Sequence, residues 1–439
     1  GSVEWEAWQL IDHREYHVTP LGDLLRRRLA EARKHLAESA HWFRVSSETP
    51  TPKQVEQILG RLRSDFEFFE PAESREKRLR DELKHFTDEQ IKVIDNLATN
   101  PRLLVTGPAG SGKTLMAIES ARRSNAAGRR TLFLCYNRLL GEWLHEECTD
   151  LEAVKCSTFH SLLMGLTDAS VPRRNREEEQ HFWDRALPEK ALHALSSNDV
   201  ARYDELIVDE AQDLLRPLWI DCLDSLLTGG LSAGHWRMFA DFDGQDIYSE
   251  RDVRGDTLLA DTTGRSPVVL RLPSNCRNTP RIAKLPHRFA SLEPDYDQVL
   301  RPDNNMRPEL KFCQNDRAQA RALGELLERL QREGFSPNDI VILSRKSNSN
   351  CVASSVRTQR WGVRLQEYQT ADEGAVRYLS VQAFKGREAP VIILTDIDEI
   401  DSAEARSLLY VGITRAVEHL AILVHRDAKQ AFVDAMRKR

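Results

Sequence analysis

The chain has few cysteines, and their spacing does not suit a metal site. It carries seven cysteines in 439 residues, and no two of them form a C-x-x-C pair. This pattern argues against a metal knuckle. It indicates a reduced intracellular setting, and we therefore expect the protein in the cytoplasm.

The chain also lacks a long hydrophobic run and an excess of positive charge. No apolar stretch approaches the length of a membrane span and no signal peptide is predicted, so we expect no membrane partner. The formal net charge is −6, so any binding of nucleic acid has to come from a local groove.

The composition is that of a globular protein, with 41% hydrophobic and 30% charged residues. A chain this long exceeds one ordinary core, so about two or three domains are expected. Strands alternate with helices from residue 86 onward, which predicts an α/β protein with two parallel-sheet domains at 86–267 and 268–439. Residues 1–85 are mostly helical in pattern, and 161–204 predicts a small helical insertion. The second domain is predicted to contain strands at Val268–Leu272, Glu309–Cys313, Asp339–Ser344, Arg377–Val381, Val391–Asp396 and Leu420–Val424.

The clearest motif is a phosphate-binding loop of the form G-x-x-x-x-G-K-[ST]. A strand is predicted before it at Arg102–Thr106 and a helix after it at Leu115–Arg123, so backbone N–H groups and a helix N-terminus would face a phosphate chain. Lys113 would reach the β- and γ-phosphates of ATP, and the Thr114 hydroxyl would hold Mg²⁺. The residues predicted to bind the nucleotide in this loop are Gly107, Pro108, Ala109, Gly110, Ser111, Gly112, Lys113 and Thr114.

A second motif supplies carboxylates at the end of a predicted buried strand. Asp209 and Glu210 follow the apolar residues 206–208. Asp209 would complete the Mg²⁺ site with Thr114, and Glu210 would orient and deprotonate the attacking water. An Asp-Glu pair is also common at a helix start, where carboxylates suit the helix dipole. The phosphate loop upstream favours the catalytic interpretation.

Gln90 has two interpretations. With Thr87 it fits a capping box for the helix predicted at residues 91–98, and the local pattern favours this role. Alternatively, its amide faces the base of the nucleotide.

Seven stretches in this order resemble superfamily 1 helicases of the UvrD/Rep type. The resemblance covers about residues 86 to 425 and implies two RecA-like domains with an ATP site in the cleft between them. The matching stretches are Gln90, Gly107–Thr114, Asp209–Asp213, Asp243–Tyr248, Asn275–Arg277, Gln382–Glu388 and Leu409–Ala416.

The resemblance also implies roles for single residues. Gln90 would read adenine, Gln245 would sense the γ-phosphate and Glu388 would meet the ribose. Arg277 would touch the γ-phosphate, and Arg415 would act as an arginine finger. The predicted catalytic residues are thus Lys113, Glu210, Gln245, Arg277 and Arg415.

Such motors move along a single strand of nucleic acid, with DNA favoured here over RNA and 3′→5′ unwinding as an expectation. Stacking aromatic side chains with polar backbone contacts would bind a strand without sequence preference. For Phe159 and His160, core packing is an equal alternative. The family's strand-contacting positions correspond to Tyr136, Asn137, Thr158, Phe159, His160 and Gln382.

Two departures from the family pattern concern the nucleotide site. Leu115 and Cys276 stand where the family has an arginine and a tyrosine that sandwich adenine, so base discrimination is expected to be weak. Arg387 replaces a leucine. The stretch between Arg277 and Lys385 leaves no room for the large inserted subdomain of full-sized relatives, which favours a translocase over a processive helicase.

The N-terminal segment suggests a link to another activity. Residues 4–12 resemble the tail of the nuclease-related (NERD) domain that some bacterial proteins join to such a motor. A different class of function stays open, in which the ATPase is a switch or sensor that acts through a protein partner docked on residues 1–85, with little or no unwinding.

Overall fold

The computed structural model describes residues 21–41, 100–172, 175–196, 200–242, 255–264, 266–290, 296–356, 364–372 and 374–437. The chain divides into two compact units, Gly1–Phe68 and Phe69–Arg439. The described part of the first unit includes helix α1, Leu21–Ser39, whose leucines follow the helical spacing expected from the sequence. No helix in the described ranges combines the length and the apolar character needed to cross a membrane.

Within the second unit, six parallel strands form a first sheet in the order β3-β2-β4-β5-β1-β6. Strands β2 and β4 are buried along their whole length, which explains their nearly continuous apolar sequence. The strands are β1 Arg102–Thr106, β2 Thr131–Cys135, β3 Val154–Thr158, β4 Glu205–Val208, β5 His235–Ala240 and β6 Val268–Arg271.

Helices cover this sheet and fill the predicted insertion. The first helix after β1 begins at Lys113, directly after the phosphate-binding loop. The helices of this first sheet domain are α2 Lys113–Ala126, α3 Arg138–Glu147, α4 Phe159–Leu166, α5 Arg176–His181, α6 Leu187–Leu195, α7 Pro217–Leu226, α8 Gly230–Ala233 and α9 Gly255–Thr263, with short helical turns at Phe182–Ala186 and Ala211–Asp213.

A second sheet of six parallel strands has the order β11-β12-β10-β13-β14-β9. Two short strands, β7 Ser274–Asn275 and β8 Gln298–Val299, pair separately from it. The strands of the second sheet are β9 Glu309–Cys313, β10 Ile340–Ser344, β11 Leu365–Glu367, β12 Val376–Ser380, β13 Ala389–Ile397 and β14 Ala416–His425.

The second sheet domain has its own helices, of which α11 is the longest and most amphipathic. Its helices are α10 Pro280–Ala283, α11 Asp316–Arg332, α12 Val352–Ser355, α13 Ala403–Thr414 and α14 Lys429–Arg437. Shorter helical turns lie at Pro286–Ala290, Pro337–Asp339, Asn348–Asn350 and Arg426–Ala428.

An ion-pair cluster joins three elements of this second domain. Glu309 on β9 accepts hydrogen bonds from Arg329 on α11, with both carboxylate oxygens 2.6 Å from Nη2. It also lies 3.0 Å from Nε2 of His419 on β14. Burial acts to raise the pKa of Glu309, but the hydrogen bonds from His419 and Arg329 outweigh it and lower the pKa to about 2.

The predicted fold class, two RecA-like parallel-sheet domains, is confirmed, but one strand was assigned to the wrong domain. The sequence predicts that a strand at Val268–Leu272 opens the second sheet, whereas the observed strand Val268–Arg271 pairs in parallel with β1 at the edge of the first sheet. The sequence could not reveal this because its pattern identifies a strand but not the sheet edge that it joins. The predicted boundary at residue 85 lies outside the described residues.

The two sheet domains pack directly against each other. Leu139 on α3 and Ala109 in the phosphate-binding loop are buried in an apolar cluster formed otherwise by the second domain, among them Phe384 and Leu409. This contact brings the carboxyl end of the first sheet, where the phosphate-binding loop lies, against the second domain.

Candidate nucleotide site between two sheet domains

The phosphate-binding loop follows β1 and has the backbone that its glycines permit. The N–H of Gly107 donates to the carbonyl oxygen of Ala240 at 3.2 Å, which ties the loop to the end of β5. Gly110 and Gly112 have φ angles of 82° and 86°, a left-handed conformation that favours glycine. Helix α2 starts immediately afterwards, so its unpaired N–H groups point into the loop.

Lys113 is a buried cation at the mouth of this loop. Its Nζ donates to the carbonyl oxygens of Gly107 and Pro108 at 2.6 and 3.0 Å. Burial lowers the pKa of Lys113, against the opposing effect of the carboxylates of Asp241 and Glu210. A cation removed from water but surrounded by acceptors is suited to bind phosphate oxygens.

Asp209 and Thr114 have the chemistry of a magnesium site. Asp209 is fully buried, its Oδ1 accepts the backbone N–H of Glu210 at 3.0 Å, and its Oδ2 has no hydrogen-bond partner among the described residues. Burial, and then the charge of Glu210, raise the pKa of Asp209 to about 7, while the Thr114 hydroxyl and Lys113 act to lower it. A buried oxygen without a partner, beside a hydroxyl and a phosphate-binding loop, fits a Mg²⁺ ion that takes its other ligands from phosphates and water. No group of three His, Cys, Asp or Glu side chains in the described ranges forms a metal cage.

Glu210 is held in an unusual backbone conformation. It is buried, with 4% of its surface exposed, and its φ of 51° is left-handed, which is uncommon for a residue with a side chain. Its Oε2 accepts a hydrogen bond of 2.5 Å from Nε2 of Gln212, whose Oε1 accepts the N–H of Asp241 at 3.0 Å. Burial acts to raise the pKa of Glu210, but Lys385 and other nearby cations lower it below its usual value. Glu210 is therefore an oriented, ionised carboxylate that can accept a proton from water.

Arg277 and Arg415 approach from outside the first sheet. Two buried asparagines fix the segment that carries Arg277, because Asn275 Oδ1 accepts the N–H groups of Arg277 and Asn278 at 2.9 Å each. Asn278 Nδ2 donates to the carbonyl oxygens of Thr414 and Ala416 at 3.2 and 2.6 Å, which lie on either side of Arg415. The guanidinium of Arg277 is also paired with the carboxylate of Glu388.

Arg415 is a buried guanidinium with spare hydrogen-bonding capacity. Only 1% of its surface is exposed, and its Nη2 has no hydrogen-bond partner among the described residues. Its Nε and Nη1 donate to the carbonyl oxygens of Val411 and Arg387 at 3.2 and 3.3 Å. Burial, and then the neighbouring charge of Arg277, lower the pKa of Arg415 to about 10. The Nη2 group can therefore donate to a ligand. Because burial and a neighbouring positive charge disfavour the charged form of Arg415, an anionic ligand beside it would stabilise the guanidinium.

These residues surround one cavity of about 290 Å³ between the two sheet domains. The first domain contributes the phosphate-binding loop, Leu115, Trp143 and Glu210, and the second contributes the segment 386–388 and Arg415. Cys276 and Arg277 line it from the segment between the sheets. The structure thus brings Lys113, Thr114, Glu210, Arg277, Glu388 and Arg415 to one place.

Two sets of contacts hold the domains together around this cavity, a buried ion pair and the hydrogen bonds of two tyrosines. From the sequence, no role was predicted for these residues. Lys385 Nζ lies 2.8 and 2.7 Å from the two carboxylate oxygens of Asp213. The hydroxyl of Tyr410 accepts the N–H of Ala109 at 3.1 Å and donates to Asp241 at 3.3 Å, and Tyr296 donates to the carbonyl oxygen of Ala109 at 2.7 Å. Lys385, Asp213 and Tyr410 all lie inside the matching motif stretches, and this position was the signal by which the sequence could have indicated a role for them.

Three residues predicted to contact a strand, Tyr136, Phe159 and His160, lie in an aromatic cluster at the carboxyl end of the first sheet. Phe159 is fully buried and stacks on Trp219 with ring centroids 4.9 Å apart, which favours the packing alternative for this residue. His160 meets Tyr136 edge to face at 5.4 Å and is only partly buried. Burial, and then the charge of Arg216, lower the pKa of His160 to about 4, so its imidazole is neutral at physiological pH.

The polar residues predicted to contact a strand serve other contacts in the structure. Asn137 Oδ1 caps helix α3 by accepting the N–H of Leu140 at 3.2 Å, and its Nδ2 donates to the carbonyl oxygens of Gln382 and Ala383, both at 3.1 Å. Thr158 caps helix α4 in the same way. Asn137 therefore joins the two domains, and its contact with nucleic acid stays a prediction, as do those of Tyr136, Thr158, His160 and Gln382.

Two predicted nucleotide contacts, Gln90 and Gln245, lie outside the described residues. The structure therefore leaves both interpretations of Gln90 open. Glu388 is paired with Arg277 in the cavity, and its contact with a ribose stays a prediction.

Two family models match separate parts of the chain. Residues 90–231 match the AAA domain and residues 375–423 match the UvrD-like helicase C-terminal domain. The first covers the phosphate-binding loop and Glu210, and the second covers Lys385 and Arg415. Neither reaches the segment that resembles a nuclease-related domain, so that resemblance stays a prediction. A search of curated protein sequences found no match.

Among solved structures, the chain is similar to the crystal structure of arterivirus nonstructural protein 10 (helicase), at 15% identity and a TM-score of 0.38. The match covers 78% of this chain and 63% of that chain. The same arterivirus protein in complex with DNA matches at 14% identity and a TM-score of 0.37, over 78% of this chain and 65% of that chain. At these TM-scores the likeness identifies neither fold nor function.

The family matches agree with the geometry of the site. One matched segment carries the phosphate-binding loop and the carboxylates, the other carries an arginine from a second parallel sheet, and both line the same cavity. By these two matches the chain is similar to proteins with an AAA domain and a UvrD-like helicase C-terminal domain, and the two matched segments line one site.

Proposed function

We propose that this chain is a motor that hydrolyses Mg·ATP between its two sheet domains and moves along single-stranded DNA, with 3′→5′ unwinding where it meets a duplex. The observation that carries the proposal is the shared cavity, in which Lys113 and Glu210 of one domain face Arg415 of the other. A site divided in this way is complete only when the domains are closed, so hydrolysis is coupled to domain motion.

In the proposed mechanism each domain contributes different chemistry. The loop N–H groups and Lys113 bind the phosphates, while Thr114 and Asp209 would hold a Mg²⁺ ion that neutralises phosphate charge. Glu210 orients the attacking water and accepts its proton. Arg277 and Arg415 stabilise the negative charge that develops on the γ-phosphate oxygens during transfer.

The contacts between the domains supply a route from nucleotide to motion. Tyr410 bonds to the phosphate-binding loop through Ala109, and Lys385 bonds to Asp213, three residues after the proposed base. A change of loop or base geometry on hydrolysis would therefore act directly on the second domain. Relative movement of two domains along a strand is the elementary step of a translocase.

The proposed strand path crosses the carboxyl end of the first sheet and the neighbouring surface of the second domain. Tyr136 and His160 are partly exposed there, and an aromatic ring stacks on any base. Gln382 is half-buried at the domain junction, beside Asn137. These residues support binding without sequence preference.

The direct test is an ATPase assay with and without single-stranded DNA or RNA of the same length. We expect stimulation by DNA and a smaller effect of RNA. A strand-displacement assay on duplexes with 3′ or 5′ tails then measures polarity. Turnover that neither nucleic acid changes would contradict the motor function.

A second candidate is an ATPase switch that acts through a protein partner. The observation in its favour is that Asn137 and Thr158, two predicted strand contacts, are engaged in helix caps and in the domain junction. In that case hydrolysis should be insensitive to nucleic acid but should change when a partner binds. The ATPase assay distinguishes the two candidates.

A further inference from the structure

One wall of the nucleotide cavity is formed by a tryptophan and an arginine from different domains. Trp143 lies on helix α3 of the first domain, and Arg387 lies between Lys385 and strand β13 of the second. Both are partly exposed and both line the cavity. The guanidinium carbon of Arg387 is 5.5 Å from the centre of the Trp143 ring system, which is within cation–π range.

This wall lies beside the two positions where the family pattern is broken. Leu115 and Cys276, which replace the arginine and tyrosine that sandwich adenine in relatives, line the same cavity. Among the described residues that line it, Trp143 carries the only aromatic ring. Arg387 is itself a departure, because relatives have a leucine there. The cavity thus lacks the arginine–tyrosine pair and contains a tryptophan–arginine pair nearby.

Helix α3 and the segment before β13 are held in a fixed relation by three contacts. Asn137 at the start of the helix bonds to the carbonyl oxygens of Gln382 and Ala383. Gly386 has a left-handed φ of 83°, and a Cβ atom there would lie 2.7 Å from a methyl carbon of Leu140. Because these contacts fix helix α3 against the segment 382–386, Trp143 and Arg387 keep their spacing whenever the domains are closed.

We propose that Trp143 and Arg387 form the stacking platform for the base of the bound nucleotide. This inference rests on the proposed function, because it concerns the same ATP site. A ring face accepts any base, so the platform supplies binding energy without reading the base edge, and both purine nucleotides are substrates. Because Arg387 belongs to the second domain, base stacking is completed only on domain closure.

The test measures equilibrium binding of Mg·ATP, Mg·GTP and Mg·tripolyphosphate, which lacks a base, by calorimetry. Hydrolysis is blocked by Glu210→Gln in every variant. Trp143→Ala should weaken both nucleotides on the order of 10-fold and leave tripolyphosphate unchanged, because the ring face that stacks on the base is removed and tripolyphosphate has no base. Trp143→Phe, which keeps a ring, should retain most of the affinity. Arg387→Leu should weaken both nucleotides roughly 3-fold.

The control is Trp183→Phe, a change in the aromatic cluster of the insertion that does not line the cavity. It should leave all three affinities unchanged. Unchanged nucleotide binding in Trp143→Ala would overturn the platform, and so would an equal loss for tripolyphosphate, because the tryptophan would then act through domain packing. If the protein with both residues intact binds ATP no better than tripolyphosphate, the platform is wrong but the ATP site stands. If it binds neither ligand, the proposed function itself fails.

Discussion

The ion pair between Lys385 and Asp213 can be broken by replacing either residue. Its burial gives the expected loss in the free energy of unfolding. Only 3% of the Lys385 side chain and 1% of the Asp213 side chain are exposed, and the charged atoms lie 2.7 Å apart. Replacing Lys385 with methionine keeps the volume but leaves the Asp213 carboxylate buried without this cation. Breaking a buried pair in this way costs about 3–5 kcal/mol, a large part of the roughly 5–15 kcal/mol that stabilises a typical native protein.

The assay is urea unfolding, followed by circular dichroism, together with steady-state ATP turnover. Lys385→Met should lower the free energy of unfolding by that amount and reduce turnover, because the second domain carries Arg415. Adding Asp213→Asn should restore much of the stability, since the uncompensated charge is removed. The matched control is Lys311→Met, which breaks an exposed pair with Glu325 at 3.2 Å and should cost about 1 kcal/mol or less. A loss for Lys385→Met no larger than that of the control would refute the reasoning.

Three further changes test other parts of the account. Lys113→Ala should abolish hydrolysis, measured as phosphate release, because no other group would replace its contact with the phosphates. Gly386→Ala should lower the free energy of unfolding by about 1–3 kcal/mol more than Gly374→Ala, because both have a left-handed φ but only the first would clash, against Leu140. Glu309→Gln should lower it by at most about 1 kcal/mol at pH 7, because the carboxylate is partly exposed. The folded pKa of Glu309 is about 2, below the usual 4.5, so this difference should shrink as the pH falls from 4.5 to 2 in a thermal-unfolding series.

Local features of the fold were predictable because they depend on neighbouring residues. The strand Arg102–Thr106 is observed as predicted. The predicted helix Leu115–Arg123 lies within the observed helix Lys113–Ala126. Apolar runs bounded by glycine and polar residues determine such elements. The strand at Val268 was also found, but its pairing with β1 depends on a contact between residues about 165 positions apart, as in Leu103 with Val268.

The shared site was predictable only through the family resemblance. Arg277 and Arg415 do line the cavity with Lys113, as the motif order implied. The contacts that close the site could not be read from the sequence, because each joins distant residues. Tyr410 and Ala109, for example, are 301 positions apart. Trp143 carries no motif signal at all, and its position in the cavity follows from the packing of α3 against the second domain.

The most direct test of the central claim, that both domains build one ATP site, is the turnover of Arg415→Ala. Its side chain belongs to the second domain, while the phosphate-binding loop belongs to the first. We predict that ATP still binds, measured by calorimetry, and that kcat falls by about 10³-fold or more, because an arginine finger acts on the transition state. Near-normal turnover in this variant would contradict a site shared between the two domains.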